Sequence, residues 1–122
     1  MARILVIDDQ PEVRRVVARM LEVEGHEVES AADGDEGVSR HRQRPFDLVI
    51  TDIVMPGKEG LETIAELHRG DRNLPIIAMS GSLDTPYLQA AKCFGAGRVL
   101  PKPYPREDLV KAVREMLDQA GV

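Results

Sequence analysis

The sequence predicts an α/β fold in which a doubly wound parallel sheet of five strands is covered by helices on both faces. Short runs of β-branched and aliphatic residues alternate five times with longer amphipathic segments. The first, third and fourth runs are almost wholly apolar, which is typical of strands buried on both faces. No linker, repeat or low-complexity segment divides the 122 residues. We therefore expect one domain over residues 1–122.

Each predicted strand is short and is followed by polar or turn-forming residues. The strands span residues 3–7, 27–31, 48–51 and 75–79, with a weaker fifth at 99–100. Crossover connections between parallel strands are right-handed in nearly all proteins, so the handedness of the fold follows from the alternation. The order of the strands in the sheet does not.

The first and last predicted helices carry the clearest apolar stripes. The stripe of the first helix consists of Val13, Val16, Val17, Met20 and Leu21, and that of the last helix consists of Leu109, Val110, Val113, Met116 and Leu117. Pro11 suits the first turn of the first helix, and Gly25 suits a left-handed cap at its end. The intervening helices are predicted at 34–41, 60–69 and 85–94, the last with Pro86 near its start.

Composition and charge exclude several classes of protein. The net charge of −5 argues against a nucleic-acid surface, because phosphate backbones require clustered Lys and Arg. No apolar run approaches the roughly 20 residues of a membrane-spanning helix. The single cysteine, Cys93, allows no internal disulfide, and we expect a cytoplasmic location. His26, His41 and His68 lack metal-ligand spacing, so we interpret them as surface residues.

Functional side chains are expected where the strands end, because ligands of open α/β sheets bind at the carboxyl ends of the strands. Asp8 and Asp9 follow the first strand, Asp52 the third, Ser80 the fourth and Lys102 the fifth. Each residue alone has an ordinary explanation as a helix-start acid, a turn residue or a solvated lysine. Four of five strands delivering such groups to one edge is rare by chance, and the conjunction predicts a site.

Four segments resemble the signatures of response-regulator receiver domains, in order and at similar spacing. They are VIDDQ, TDIVMPGKEG, PIIAMSGS and PKPY, and the resemblance covers essentially the whole chain. It implies a flavodoxin-like (βα)5 fold with strand order 2-1-3-4-5. It also implies a signalling phosphoacceptor that catalyses its own phosphorylation and slow dephosphorylation.

The resemblance implies a role for each strand-end residue. Asp52 would be the phosphoacceptor. Asp9 and Asp52 would ligate Mg²⁺, for which Mn²⁺ should substitute, with Asp8 assisting through water and the Val54 main-chain carbonyl as a further ligand. Ser80 would bind the phosphoryl group and Lys102 would pair with it. The bond between Lys102 and Pro103 is cis in many receivers, and we expect the same here.

The residue types suit this chemistry on physical grounds. Phosphoryl transfer passes through a loose transition state, so catalysis is mainly positioning and electrostatics. Mg²⁺ prefers one or two carboxylates together with water and phosphate oxygens. Two carboxylates about 5 Å apart repel by about 3 kcal/mol at an effective dielectric near 20, so an acidic pocket without a cation should be strained.

The resemblance also implies partners. The phosphoryl donor would be a histidine kinase or a histidine phosphotransfer protein. The signal would pass to an unknown target, or to an output domain beyond Val122, through the fourth helix, fifth strand and fifth helix. The chain is expected to be either a complete single-domain regulator or a receiver cut from a longer protein. No direct contact with nucleic acid or membrane is expected.

Two departures from the family pattern predict altered behaviour. Val99 stands where many receivers have Tyr or Phe, and a valine has no ring to swing inward. We therefore expect activation to displace the 80–87 segment with little rotamer switching at Val99 and Tyr104. Val54 and Ser82 flank the expected path of the attacking water and cannot orient it with a carboxylate or amide, so we expect slow dephosphorylation.

The sequence argues against three alternatives, of which the first is the strongest. A Mg²⁺-dependent phosphohydrolase of the haloacid-dehalogenase type also uses a strand-end Asp, but it normally has a second acid where Val54 stands. A flavin-binding module of the same fold needs phosphate-cradling loops and aromatic stacking surfaces, whereas aromatic residues total 3% here. A phosphotransfer domain bearing its own phosphohistidine would be all helical.

Overall fold

The fold consists of five strands that alternate with five helices. The computed structural model describes residues 2–53, 60–81, 85–102 and 104–121. In chain order the elements are β1 Arg3–Ile7, α1 Pro11–Val23, β2 Glu27–Ala31, α2 Gly34–Gln43, β3 Leu48–Asp52, α3 Gly60–Gly70, β4 Ile76–Ser80, α4 Thr85–Phe94, β5 Arg98–Pro101 and α5 Arg106–Gln119. The alternation confirms the fold class predicted from the sequence.

All five strands are parallel and lie in the order β2-β1-β3-β4-β5. The strand order implied by the resemblance is therefore confirmed. The chain leaves β1 for β2 on one side and then crosses back to β3 on the other, so the direction of winding reverses between β1 and β3. Such a reversal is the place where open α/β sheets bind ligands.

The core has one layer on each face of the sheet. Helices α1 and α5 cover one face and helices α2, α3 and α4 cover the other. β3 and β4 are buried over their whole length, as their apolar sequences predict. Burial of these side chains on both faces supplies the main stabilising term of the fold.

The apolar stripe of α1 is wider than the surface that it buries. Val17 and Leu21 lie fully in the core, whereas Val16 is 54% exposed. The prediction that Val16 faces the core is wrong. The helix is rotated so that Val17 and Leu21 point at the sheet, which leaves Val16 at the solvent edge of the stripe.

The ends of α1 follow the predicted signals. Pro11 is the first helical residue, where its missing N–H costs no hydrogen bond. Gly25 has a φ of 93°, and its N–H donates to the Glu22 carbonyl while the His26 N–H donates to the Leu21 carbonyl. These two bonds form a Schellman motif, which ends the helix and turns the chain into β2.

Three strand boundaries differ from those predicted. β3 extends by one residue to include Asp52, β4 is shifted by one residue to include Ser80, and β5 spans four residues rather than two. Asp52 and Ser80 are thus the last residues of their strands. Backbone pairing with the neighbouring strand extends through both residues, which a polar side chain at a strand end does not reveal.

His41 lies in the core boundary rather than on the surface, so its interpretation as a surface residue is wrong. The residue is 7% exposed, and its Nδ1 accepts a hydrogen bond from the Phe46 N–H at 3.1 Å. Its Nε2 lies 3.2 Å from Asp71 Oδ2, and its ring stacks on that of Phe46. The histidine therefore joins the end of α2 to the start of β3 and to the residue after α3. His26 and His68 are partly buried.

In the part of the chain that the structure describes, no helix combines the length and the apolar character that a membrane span requires.

Candidate functional site

The register of the sheet brings four of the predicted site residues to one edge. Ile7 of β1 is paired with Thr51 of β3, so the next residues, Asp8 and Asp52, lie side by side. Ser80 of β4 is paired with Pro101 of β5, and Lys102 follows directly. The site thus lies at the carboxyl ends of the strands, where the winding of the sheet reverses.

Three carboxylates converge at this edge. One carboxylate oxygen from each of Asp8, Asp9 and Asp52 lies within 4.8 Å of the others. Asp8 is fully buried and Asp52 is 8% exposed, whereas Asp9 is exposed. Buried carboxylates are costly unless a cation or hydrogen-bond donors accompany them, so this geometry favours cation binding.

Lys102 contacts both buried carboxylates. Its Nζ lies 3.4 Å from Asp8 Oδ2 and 3.5 Å from Asp52 Oδ2. Its main-chain N–H donates to the Ser80 carbonyl at 2.6 Å, which joins the ends of β4 and β5. We call Asp8, Asp9, Asp52 and Lys102 the acid pocket. One ammonium group among three carboxylates leaves the acid pocket with excess negative charge.

The oxygens of Asp8 already have partners within the protein. Oδ1 accepts a hydrogen bond from the Gln10 N–H at 2.9 Å, which forms an Asx turn at the start of α1. Oδ2 faces Lys102. Among the described residues, no hydrogen bond or ion pair engages the Asp9 carboxylate. Asp9 is therefore better placed than Asp8 to bind a metal ion directly.

The oxygen-only donor set suits a hard divalent cation. Carboxylate oxygens, with room for water beside an exposed residue, are the ligands that Mg²⁺ prefers. A softer metal would favour histidine or cysteine ligands, and the acid pocket contains neither. The residues present therefore fit Mg²⁺.

Three predicted features fall outside the described residues. They are the Val54 carbonyl, the Ser82 side chain and the cis peptide bond before Pro103. Ser80 is fully buried at the end of β4. It follows Met79 in the strand, and Met79 pairs with Asp52 of β3. The structure thus places Ser80 beside the acid pocket.

Gly60 lets α3 begin directly against the end of β3. Its N–H donates to the Ile53 carbonyl at 2.8 Å, and a Cβ at this position would overlap the main chain of Asp52 and Ile53. Only glycine permits this approach. From the sequence, Gly60 was predicted only as the first residue of a helix, and its close approach to β3 was missed.

Tyr104 lies beneath the acid pocket on the α1 and α5 side of the sheet. Its hydroxyl donates to Met79 Sδ at 3.0 Å. Burial raises the pKa of Tyr104 to about 12, with smaller contributions from the charges of Asp8 and Asp52. Val99 packs on the opposite face of the sheet, among the side chains beneath α2, α3 and α4. Tyr104 therefore cannot replace a ring at position 99.

Comparison with known proteins identifies the family. The family model for the response regulator receiver domain matches residues 4–114. The chain belongs to the response regulator receiver domain family. It is 35% identical over 119 residues to the protein PilH of Pseudomonas aeruginosa, covering 96% of this chain and 98% of PilH.

A longer regulator and a solved structure show the same likeness. The chain is 30% identical to the uncharacterized transcriptional regulatory protein YkoG of Bacillus subtilis, and the match covers 97% of this receiver but only 52% of YkoG. The crystal structure of a CheY-like response regulator receiver domain protein from Methanospirillum hungatei has a TM-score of 0.95 and 30% identity, covering 99% of this chain and 97% of that one. The chain thus spans about half the length of the regulator YkoG.

Proposed function

We propose that this receiver domain, taken as the whole of residues 1–122, is a switch that accepts a phosphoryl group on Asp52 in a Mg²⁺-dependent reaction. The observation that carries the proposal is the convergence of Asp8, Asp9 and Asp52 within 4.8 Å, with Lys102 in contact with two of them. Membership of the receiver family supports the same conclusion. The donor would be a histidine kinase or a histidine phosphotransfer protein.

The acceptor step follows from the positions of the side chains. A carboxylate oxygen of Asp52 attacks the phosphorus of a phosphohistidine, the bond from phosphorus to nitrogen breaks, and the released imidazole recovers a proton. Asp9 and Asp52 would hold Mg²⁺ directly, with Asp8 acting through water because its oxygens already contact Gln10 and Lys102. The ion would supply positive charge to the phosphoryl oxygens.

Lys102 and Ser80 would bind the phosphoryl group once it is on Asp52. Phosphorylation replaces the single charge of Asp52 by roughly two charges and adds acceptor oxygens. Lys102 already lies 3.5 Å from Asp52, so its ammonium group can follow the new charge. Because the Lys102 N–H also binds the Ser80 carbonyl, movement at either residue shifts the ends of β4 and β5 together.

Coupling of β4 and β5 supports an output surface formed by α4, β5 and α5. Phe94, at the end of α4, is 44% exposed and offers an apolar contact there. Displacement of the segment 80–87, rather than a rotamer change at Val99, would carry the signal to this surface. A downstream protein or an output domain in a longer chain would be its partner.

The donor would dock on α1. Val16 and Val23 of this helix are 54% and 64% exposed. A groove of about 440 Å³ beside Val16 and Met20 continues to Lys102 and Tyr104, and therefore to the acid pocket. We expect Val16→Asp to slow phosphorylation by a protein donor, while labelling by a small phosphodonor, which needs no docking surface, proceeds as in the parent.

The direct test of the proposed function is to map the phosphorylated residue. The protein is incubated with a small-molecule phosphodonor and Mg²⁺, and the adduct is located by mass spectrometry. We expect one phosphoryl group on Asp52, no labelling without divalent cation and none in Asp52→Asn. Asp47→Asn, an equal change far from the acid pocket, is the matched control. Labelling that survives in Asp52→Asn would refute the assignment.

Two further measurements, turnover of phosphate esters and the lifetime of the phosphoryl group, address the hydrolase alternative. A haloacid-dehalogenase-type enzyme would release phosphate from small phosphate esters over many turnovers, whereas a receiver retains the group. Such a hydrolase normally has a second acid two residues after the nucleophile, and this position is Val54 here. We expect slow loss of the phosphoryl group, and faster loss in Val54→Asn, because an amide can orient the attacking water. Equal lifetimes in the two proteins would exclude this role for position 54.

The cellular setting is part of the same proposal. Transfer from a histidine kinase takes place where the kinase domain and its ATP are found, which favours a cytoplasmic location. A second copy, a target protein or a covalently linked domain would read the phosphorylated state.

A further inference from the structure

Arg14 of α1 reaches back to the loop that carries two members of the acid pocket. Its Nη1 donates to the main-chain carbonyl of Asp8 at 2.7 Å. Arg14 is partly buried, and its main-chain N–H donates to the Gln10 carbonyl at 3.1 Å within the first turn of the helix. The guanidinium therefore forms a short, charge-assisted hydrogen bond from a rigid element to a loop.

This bond completes the set of contacts that hold Asp8. The Asp8 N–H donates to the Ala31 carbonyl at 3.2 Å, and the Asp8 carboxylate contacts the Gln10 N–H and the Lys102 ammonium. The main-chain carbonyl is the remaining polar group, and Arg14 binds it. Every polar group of this residue is thus held by a neighbour.

The position of Asp9 depends on the same bond. The Asp8 carbonyl and the Asp9 N–H belong to one planar peptide unit, so fixing the carbonyl fixes the plane from which Asp9 continues. Within the described part of the chain, the Asp9 carboxylate itself has no hydrogen bond or ion pair to orient it. Its closeness to Asp8 and Asp52 therefore depends on its backbone.

We infer that Arg14 is a positioning residue for the cation site: by holding the Asp8 carbonyl, it directs the Asp9 carboxylate towards Asp52 and strengthens Mg²⁺ binding. The inference rests on the proposed function for the identity of the cation. Among the described residues, no hydrogen bond or ion pair joins Arg14 to Asp52, so Arg14 acts through the peptide that it binds. An arginine that acted only by its charge would have the opposite effect, because it would repel the cation.

The test compares Arg14→Met with Arg15→Met. Arg15 is exposed and adjacent in the sequence, so both variants lose one positive charge from the same helix. Mg²⁺ affinity is measured by calorimetric titration of the intact protein. We expect Arg14→Met to bind Mg²⁺ roughly tenfold more weakly than Arg15→Met, as is typical when an outer-sphere partner is removed. Arg14→Lys, which restores a donor, should recover most of the loss and serves as the test if Arg14→Met does not fold.

A second measurement does not require bound metal. The amide NMR signal of Asp9 should shift in Arg14→Met and stay in place in Arg15→Met, because the Asp9 N–H shares its peptide with the Asp8 carbonyl. Equal Mg²⁺ affinities in the two variants, or tighter binding by Arg14→Met, would overturn the inference. A parent protein that binds no Mg²⁺ would overturn the proposed function as well, whereas the Asp9 signal would still report whether Arg14 holds the loop.

Discussion

Charged residues serve different purposes at the edge of the sheet where the strands begin and at the edge where the strands end. Where β1 and β2 begin, Arg3 contacts Glu27 at 3.3 Å and Glu29 at 2.9 Å, and Arg40 contacts Glu29 at 3.1 Å. Where β1 and β3 end, Lys102 is shared between Asp8 and Asp52 at 3.4 and 3.5 Å. We call the first set, together with Asp47, which accepts from the Arg3 N–H, the arginine network.

The difference lies in burial and in the balance of charge. The carboxylates of Glu27 and Glu29 are 61% and 35% exposed, and each one meets a guanidinium. Asp8 is fully buried, and the acid pocket holds three carboxylates but one ammonium group, which contacts two of them. Arginine partners and solvent exposure stabilise the carboxylates of the first set within the folded chain. The acid pocket keeps an excess of negative charge within the folded chain, which is why we propose it as the functional site.

The largest effect on stability is expected when a cationic side chain is removed, and its size should differ between the two edges. Lys102→Met removes the ammonium group that contacts two buried carboxylates, and should lower the free energy of unfolding by roughly 3 kcal/mol in metal-free buffer. Arg40→Met in the arginine network should cost less than about 1 kcal/mol, because its ion pairs are exposed. Urea unfolding of both variants gives the two values. Similar costs would remove the distinction between the edges.

Removing one carboxylate charge should change the free energy of unfolding in opposite directions at the two edges. Asp52→Asn should raise the free energy of unfolding by roughly 1 kcal/mol in metal-free buffer, since relief of carboxylate repulsion outweighs the lost contact with Lys102. Glu29→Gln should lower it by less than about 1 kcal/mol, because it removes ion pairs with Arg3 and Arg40. Thermal unfolding of the two variants beside the parent measures this. A lower melting temperature for Asp52→Asn would contradict a strained acid pocket.

The pKa of Tyr104 reports the charge of the acid pocket. Its folded-state value of about 12 lies above the usual value of 10, so the unfolded chain ionises first and stability should fall as the pH rises from 10 towards 12. Ultraviolet titration of a Tyr87→Phe protein isolates Tyr104. Adding Asp52→Asn should lower the pKa of Tyr104 modestly, because burial is the larger cause. An unchanged value would mean that Asp52 contributes nothing to it.

The smallest effect is expected from His26, at the edge where the strands begin. Its Nδ1 accepts a hydrogen bond from the Ala2 N–H at 3.2 Å, and burial lowers its pKa below 6.5. The unfolded chain therefore binds a proton more readily, so stability is fully present above pH 6.5 and declines as the pH falls below it. His26→Asn, whose amide oxygen can accept the same bond, should unfold with less pH dependence between pH 7.5 and 5.5. An identical pH dependence would exclude a role for His26.

Much of the site could be predicted because its signals are local. Polar residues at the ends of apolar runs identified Asp8, Asp52, Ser80 and Lys102, and the topology of a parallel sheet placed them at one edge. Arg14 gave no such signal, since it is one of several arginines in α1. Its role depends on how far a side chain reaches back along the helix, which the sequence pattern does not report.

The burial of individual side chains was also only partly predictable from the sequence. The period of α1 predicted an apolar face, but the rotation of the helix on the sheet decided that Val16 is exposed and Val17 is not. The spacing of the histidines could not reveal that His41 is buried between Phe46 and Asp71. Both outcomes depend on neighbours distant in sequence.

By itself, the sequence determined the five strand and helix units, the two-sided burial of the central strands and the chemical type at each strand end, because periodicity and residue type are properties of short segments. The tertiary structure alone decided which of these groups meet. Lys102 and Asp8 are 94 residues apart in the chain and 3.4 Å apart in the fold, and their contact exists only because the sheet register aligns the ends of β1, β3, β4 and β5.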